Sequence, residues 1–150
     1  MTTQAYTGSY PFAARTLAEI EPSEHVPVTI VATLPLPPSA NALFANVARG
    51  RVKTKAYKAW LVEAGWHLKR AWSGLGRPQF SEQPMALEIK VGLKDRTRDL
   101  SNCCKAIEDL LVKTLPVPDD RWNDRVVLER GDRTVPEGLC RVRLAPLNST

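Results

Sequence analysis

The chain is short of cysteine and histidine, with three of the former and two of the latter in 150 residues. Cys103 and Cys104 are adjacent in a predicted helix, where their side chains diverge, and Cys140 is far along the chain. An odd count at this spacing excludes a disulfide framework and points to a reducing compartment. No C-x-x-C spacing occurs, and His25 and His67 are isolated, so the sequence offers no zinc site. No apolar run approaches the roughly 20 residues of a membrane span. Met1 to Glu21 lacks a cationic stretch followed by an apolar one, so no secretory signal is expected. There is no internal repeat. These absences predict a cytoplasmic protein without a membrane partner.

What is present describes one α+β domain. The length of 150 residues suits a single core. Residues 1–26 mix Thr, Tyr, Ser, Pro and Glu without a sustained period, although Phe12 to Ile20 could make a short helix; they read as an accessory arm to a domain over 27–150. Val28 to Leu34 alternates, with Val28, Ile30, Ala32 and Leu34 on one side, which predicts a strand. The proline-rich run from Pro35 to Asn41 stops it. An exposed cationic loop follows, carrying Arg49, Arg51, Lys53 and Lys55. It is either a plain surface loop or a mobile flap that folds over DNA.

Thr54 is a plausible N-cap for a helix to Trp72, whose buried stripe is Tyr57, Trp60, Leu61, Ala64, Leu68, Ala71 and Trp72. Trp66 sits off that stripe and is the aromatic suited to a contact role. Met85 to Leu93 alternates as a second strand. Ser101, the expected N-cap, opens a second helix to about Thr114. Arg125 to Glu129 and Leu139 to Leu144 close the order β-α-β-α-β-β, with helices packed on a mixed sheet.

The formal charge of +5 suits a polyanion partner. Acids gather within these basic surroundings. Asp99 stands where a strand ends and a helix begins, among Lys94, Arg96 and Arg98. As a bare position it could merely cap the helix and favour its dipole. Asp119 and Asp120 follow the helix. A return of the chain through Pro116 and Pro118 would bring one of them back towards the helix start. Carboxylates converging there would repel unless a cation neutralised them. Hard oxygen ligands for Mg²⁺, ringed by cations that hold phosphates, are what a metal-dependent nuclease needs. Lys105 shares a helix face with Asn102 and Asp109. It is either an ordinary lysine paired with Asp109, worth about 0.3–0.5 kcal/mol, or a point charge on the scissile phosphate.

Taken in order, these residues resemble the RusA-type Holliday-junction resolvases, small homodimeric Mg²⁺-dependent endonucleases. The family pattern is Asp-hydrophobic-Asp-Asn-x-x-Lys, a helix aspartate, then Asp-Asp-x-Gln. Here Asp99, Asn102 and Lys105 match the first part, Asp109 the second, and Asp119-Asp120 the third. Pro37-Pro-Ser-Ala-Asn41, Gly50-Arg51 and Tyr57 fit the earlier part, so the resemblance spans about residues 28 to 145. It implies a homodimer that cuts four-way DNA junctions. Asp99 and Asp120 would hold Mg²⁺, or Mn²⁺ as a substitute, with Asp119 and Asp109 as helpers. Lys105 would stabilise transition-state charge, and Ser101 or Asn102 would orient ligands or water. Arg49, Arg51, Lys53, Arg96 and Arg98 would hold phosphates.

Two positions depart from that pattern. Ser101 replaces the second aspartate, so a hydroxyl stands where the family has a charged ligand. Trp122 stands where the later motif has Gln. The alternative implied by Ser101 is a branched-DNA-binding protein of the same fold that does not cleave. A protein–protein adaptor is a third class, and it predicts no nucleic-acid affinity at low salt.

Overall fold

The computed structural model describes residues 27–93, 96, 98–131 and 133–148. The arm over 1–26, with its expected helix, and Lys94 lie outside them. Strand β1, Ile30–Pro35, buries Ile30, Ala32 and Leu34 and exposes the residues between them, as alternation requires. Strands β2, Phe44–Val47, and β3, Gly50–Lys53, form a separate two-stranded antiparallel sheet. The cationic stretch expected as a loop is therefore a hairpin. Gly50 at φ +115° provides the turn geometry that a side-chain-bearing residue rarely adopts.

Helix α1, Lys55–Gly74, starts where expected. The Thr54 hydroxyl oxygen accepts from the Tyr57 amide at 3.2 Å. The same hydroxyl donates to the Ala42 carbonyl at 2.6 Å, which binds the hairpin base to the helix start. Tyr57, Trp60, Leu61, Ala64 and Leu68 face the core, and Trp60 Nε1 donates to the Pro35 carbonyl at 2.9 Å.

Strand β4, Met85–Val91, lies inside the sheet. A 3-10 turn, Leu100–Cys103, then leads into α2, Cys104–Thr114. Ser101 is thus not the N-cap. Asp99 precedes the 3-10 turn and Cys103 precedes α2, neither with a side-chain capping bond. The chain tightens first, with the Asn102 amide donating to the Asp99 carbonyl at 3.2 Å, and only then winds into α-helix.

Strands β5, Asn123–Arg130, and β6, Leu139–Pro146, complete a four-stranded sheet of order β1-β6-β4-β5. β6 is antiparallel to β1 and β4, and β5 is parallel to β4, so the sheet is mixed. The parallel pair requires a crossover, and α2 is that crossover. The architecture is α+β, with α1 and α2 packed on the sheet through one cluster that includes Leu34, Leu68, Leu87, Ile107 and Val142. Among the described residues no helix is long and apolar enough to cross a membrane.

Candidate active site

Lys105 stands in the first turn of α2. Its Nζ lies 2.8 Å from Asp109 Oδ1 and 3.6 Å from Asp120 Oδ2. The first contact follows from helical spacing alone. The second is tertiary. The chain leaves α2 at Leu115, and its prolines forbid further helix. A 3-10 turn, Asp120–Trp122, then sets Asp120 against the helix start. Asn123 Nδ2 donates to Glu108 Oε1 at 3.3 Å, which ties the entry of β5 to α2 beside this cluster.

The cluster's charges are coupled. The Lys105 ammonium is held above its ordinary value, first by its hydrogen bond to Asp109 and then by the charges of Asp109, Asp120 and Glu108, against a desolvation that works the other way. The Asp119 carboxyl is held below the usual carboxylate range. The first cause is a hydrogen bond with the Asp120 carboxyl, and the second is the Arg121 amide, which donates to Asp119 Oδ1 at 3.2 Å. Two adjacent carboxylates concentrate negative charge at this point, which favours a nearby cation.

Asp109, Asp119 and Asp120 line a recess of about 350 Å³, together with Tyr57, Lys53 and Lys113. Burial, and then the charge of Asp109, push the Tyr57 phenol up. The hairpin overhangs this wall. The Lys53 ammonium sits 6.0 Å from the centre of the Tyr57 ring, and the Arg51 guanidinium 5.1 Å from that of Phe44. Arg49, Arg51, Lys53 and Arg96 are exposed, as phosphate-holding residues must be. Arg98 differs. It is half-buried, its Nη2 donates to the Pro37 carbonyl, and its Nε is buried without a partner among the described residues. Its Nη2 bond latches the Asp99 segment to the proline segment, a positioning role beside the expected phosphate contact.

Asp99 and Ser101 are exposed, and Asn102 is half-buried. The carboxylate of Asp99 takes no part in the ion pairs around Lys105. Among the described residues, no three His, Cys, Asp or Glu side chains are grouped to hold one ion. The four acids expected as ligands thus divide into Asp109, Asp119 and Asp120 around the recess, and Asp99 just before the 3-10 turn. The donor chemistry still fits Mg²⁺. That ion takes hard oxygens, commonly one or two carboxylates with water and phosphate oxygens completing its shell. The neighbouring Asp119 and Asp120 are such a pair.

Tyr57 and Lys113 are members of this recess that sequence reasoning placed elsewhere or passed over. Lys113 was within reach, because Lys105, Asp109 and Lys113 recur at i, i+4, i+8. Tyr57 was not, because a tyrosine on an apolar stripe gives no sign of facing an acid. The chain matches no protein-family model and no curated protein.

Proposed function

We propose that this protein is a Mg²⁺-dependent endonuclease that resolves four-way DNA junctions, working in the cytoplasm as a homodimer. One observation carries the reading. A lysine ammonium lies 2.8 Å from Asp109 and 3.6 Å from Asp120, and both acids line a recess walled on another side by Phe44 and Lys53 of the cationic hairpin. Acids enclosed by basic surroundings serve phosphodiester chemistry better than they serve folding.

Asp120 and Asp119 would hold the ion, with Asp99 and Asp109 as further oxygen donors. Bound Mg²⁺ supplies an activated water and charge stabilisation at the leaving oxygen. Lys105 stays protonated through neutral pH and sets a fixed positive charge beside the scissile phosphate. Ser101 and Asn102 orient water or ligands from the 3-10 turn. Arg49, Arg51, Lys53 and Arg96 grip flanking phosphates, so binding weakens steeply as salt rises.

The test is cleavage of a labelled four-way junction with and without Mg²⁺. Lys105→Met should lower the rate about 10²- to 10³-fold, the range for losing one preorganised charge-stabilising donor. Asp120→Asn should do at least as much. Wild-type cleavage by Asp120→Asn would overturn the assignment. Ser101 supports a second reading, because it is exposed and brings no charge to the turn. Junction binding without nicks in either condition, with nicking created by Ser101→Asp, would make the protein a non-cleaving branched-DNA binder. Absence of any nucleic-acid affinity at low salt would leave only an adaptor.

A further inference from the structure

A second cleft, of about 1020 Å³, runs between α1 and the C-terminal half of α2. It shares Lys53, Leu61 and Lys113 with the acidic recess, so the two adjoin. The rest of its lining defines its chemistry. Lys58, Lys69, Arg70 and Arg77 line it, and it is lined by no carboxylate. With Lys113 they make five cations that form no ion pair among the described residues. Trp66 stands in the same cleft and is 74% exposed, and Val62, one turn before it, is 66% exposed. A tryptophan exposed beside these cations offers an aromatic face to a ligand. Gly65 opens the floor, where an added Cβ would meet Thr114 Oγ1 at 3.8 Å and Leu110 Cδ1 at 3.9 Å, ordinary contact distances. Packing between the helices therefore does not demand glycine there.

We infer that this cleft binds an unpaired DNA strand, with phosphates on the cations of α1 and α2 and a base stacked on Trp66. The charge is complementary to a polyanion and repels a second copy of the same surface. The indole selects the form of that polyanion. Duplex DNA offers phosphates outside and keeps its base faces stacked inside, whereas a single strand presents a π-face to any aromatic platform. Lys58, Val62, Trp66 and Arg70 recur every four residues and span about 18 Å along α1, room for several nucleotides. The choice of DNA rests on the proposed nuclease reading, and the wall shared with the acidic recess makes the strand one that enters or leaves it.

The experiment is fluorescence anisotropy of the full chain with labelled dT12 in EDTA, beside a 12-base-pair duplex. Trp66→Ala should weaken dT12 binding about 5- to 100-fold, the range for losing one stacked base, and leave the duplex little changed. Trp66→Phe should restore most of it. Lys69→Ala with Arg70→Ala should flatten the salt dependence by roughly 0.7 log units per lost contact. Lack of dT12 binding, or an equal loss for duplex and single strand, overturns the proposal. So does Trp66→Ala acting by dissociating a dimer in sedimentation. Junction cleavage without dT12 binding would sink this inference alone. Binding of dT12 without cleavage would sink only the nuclease reading.

Discussion

Two regions of this domain are made by different physics. In β4, Met85, Ala86, Leu87, Ile89 and Val91 are all buried. In the hairpin, only Phe44 is even half-buried, and every residue of β3 is exposed. The sheet floor is held by apolar area removed from water. The charged margin of hairpin, 3-10 turn and α2 face is held by backbone ladders, one capping hydroxyl and ion pairs in solvent. The first should carry stability and be indifferent to chemistry, and the second should do the reverse. The contrast breaks most readily in the sheet floor.

Leu87 is fully buried between β5 and β6. Leu87→Ala removes transfer energy and leaves a cavity, so urea unfolding should show a loss of about 2–5 kcal/mol. A loss under 1 kcal/mol would mean the floor does not dominate stability.

The next probe is pH. Cys140 is fully buried, and burial pushes its thiol up to about 12. The unfolded chain's thiol ionises near 8.5. Below that value both states hold the proton and nothing changes. Above it the unfolded state releases a proton that the native state keeps, so stability falls as pH rises. The slope approaches about 1.4 kcal/mol per pH unit for one such group. Comparing wild type with Cys140→Ala at pH 8 and pH 10 isolates this thiol from Tyr57 and Lys105, and the difference between the two proteins should change by about 1–2 kcal/mol.

Thr54 lies where the regions meet. Thr54→Ala removes both the α1 cap and the bond to Ala42, and should cost about 1 kcal/mol in thermal unfolding. It should also loosen the hairpin, seen as faster amide exchange in β2 and β3 than in β4.

These regions also differ in how much the sequence disclosed. Strict alternation foretold β1, β4 and β6, and the apolar stripe foretold the buried face of α1, because burial imposes a period. The hairpin imposes none. Its strands are four residues each and expose nearly everything, so no inward face could announce it. Ser101 looked like a cap because its residue type is right, but a 3-10 turn intervened. The Lys105–Asp109 pair was legible from spacing. The return of Asp120 to Lys105 was legible only as a possibility, since it depends on where a parallel crossover sets down the next strand. The bond from Arg98 to the Pro37 carbonyl had no signal at all, because a guanidinium that donates to a distant carbonyl looks in sequence like any surface arginine.

The smallest expected effect sharpens the contrast most. Asp109 makes the shorter of the two contacts to Lys105, yet both side chains are substantially exposed, at 36% and 60%. Water screens the pair, and ordering two side chains costs entropy, so Asp109→Asn should alter stability by only about 0.3–0.5 kcal/mol. Its hydrogen bond is nevertheless the first cause of Lys105's raised value. Removing it should move the Lys105 ammonium down towards its ordinary value, measurable by ¹⁵N-detected titration of that side chain. Among the described residues, Asp120 would remain as its only acidic partner in an ion pair. A stability loss above 2 kcal/mol would mean that the charged margin supports the fold, and the division drawn between the two regions would fail. A near-silent change in stability with a shifted lysine would locate the purpose of these acids in what the lysine does, since the fold would be seen to stand without them.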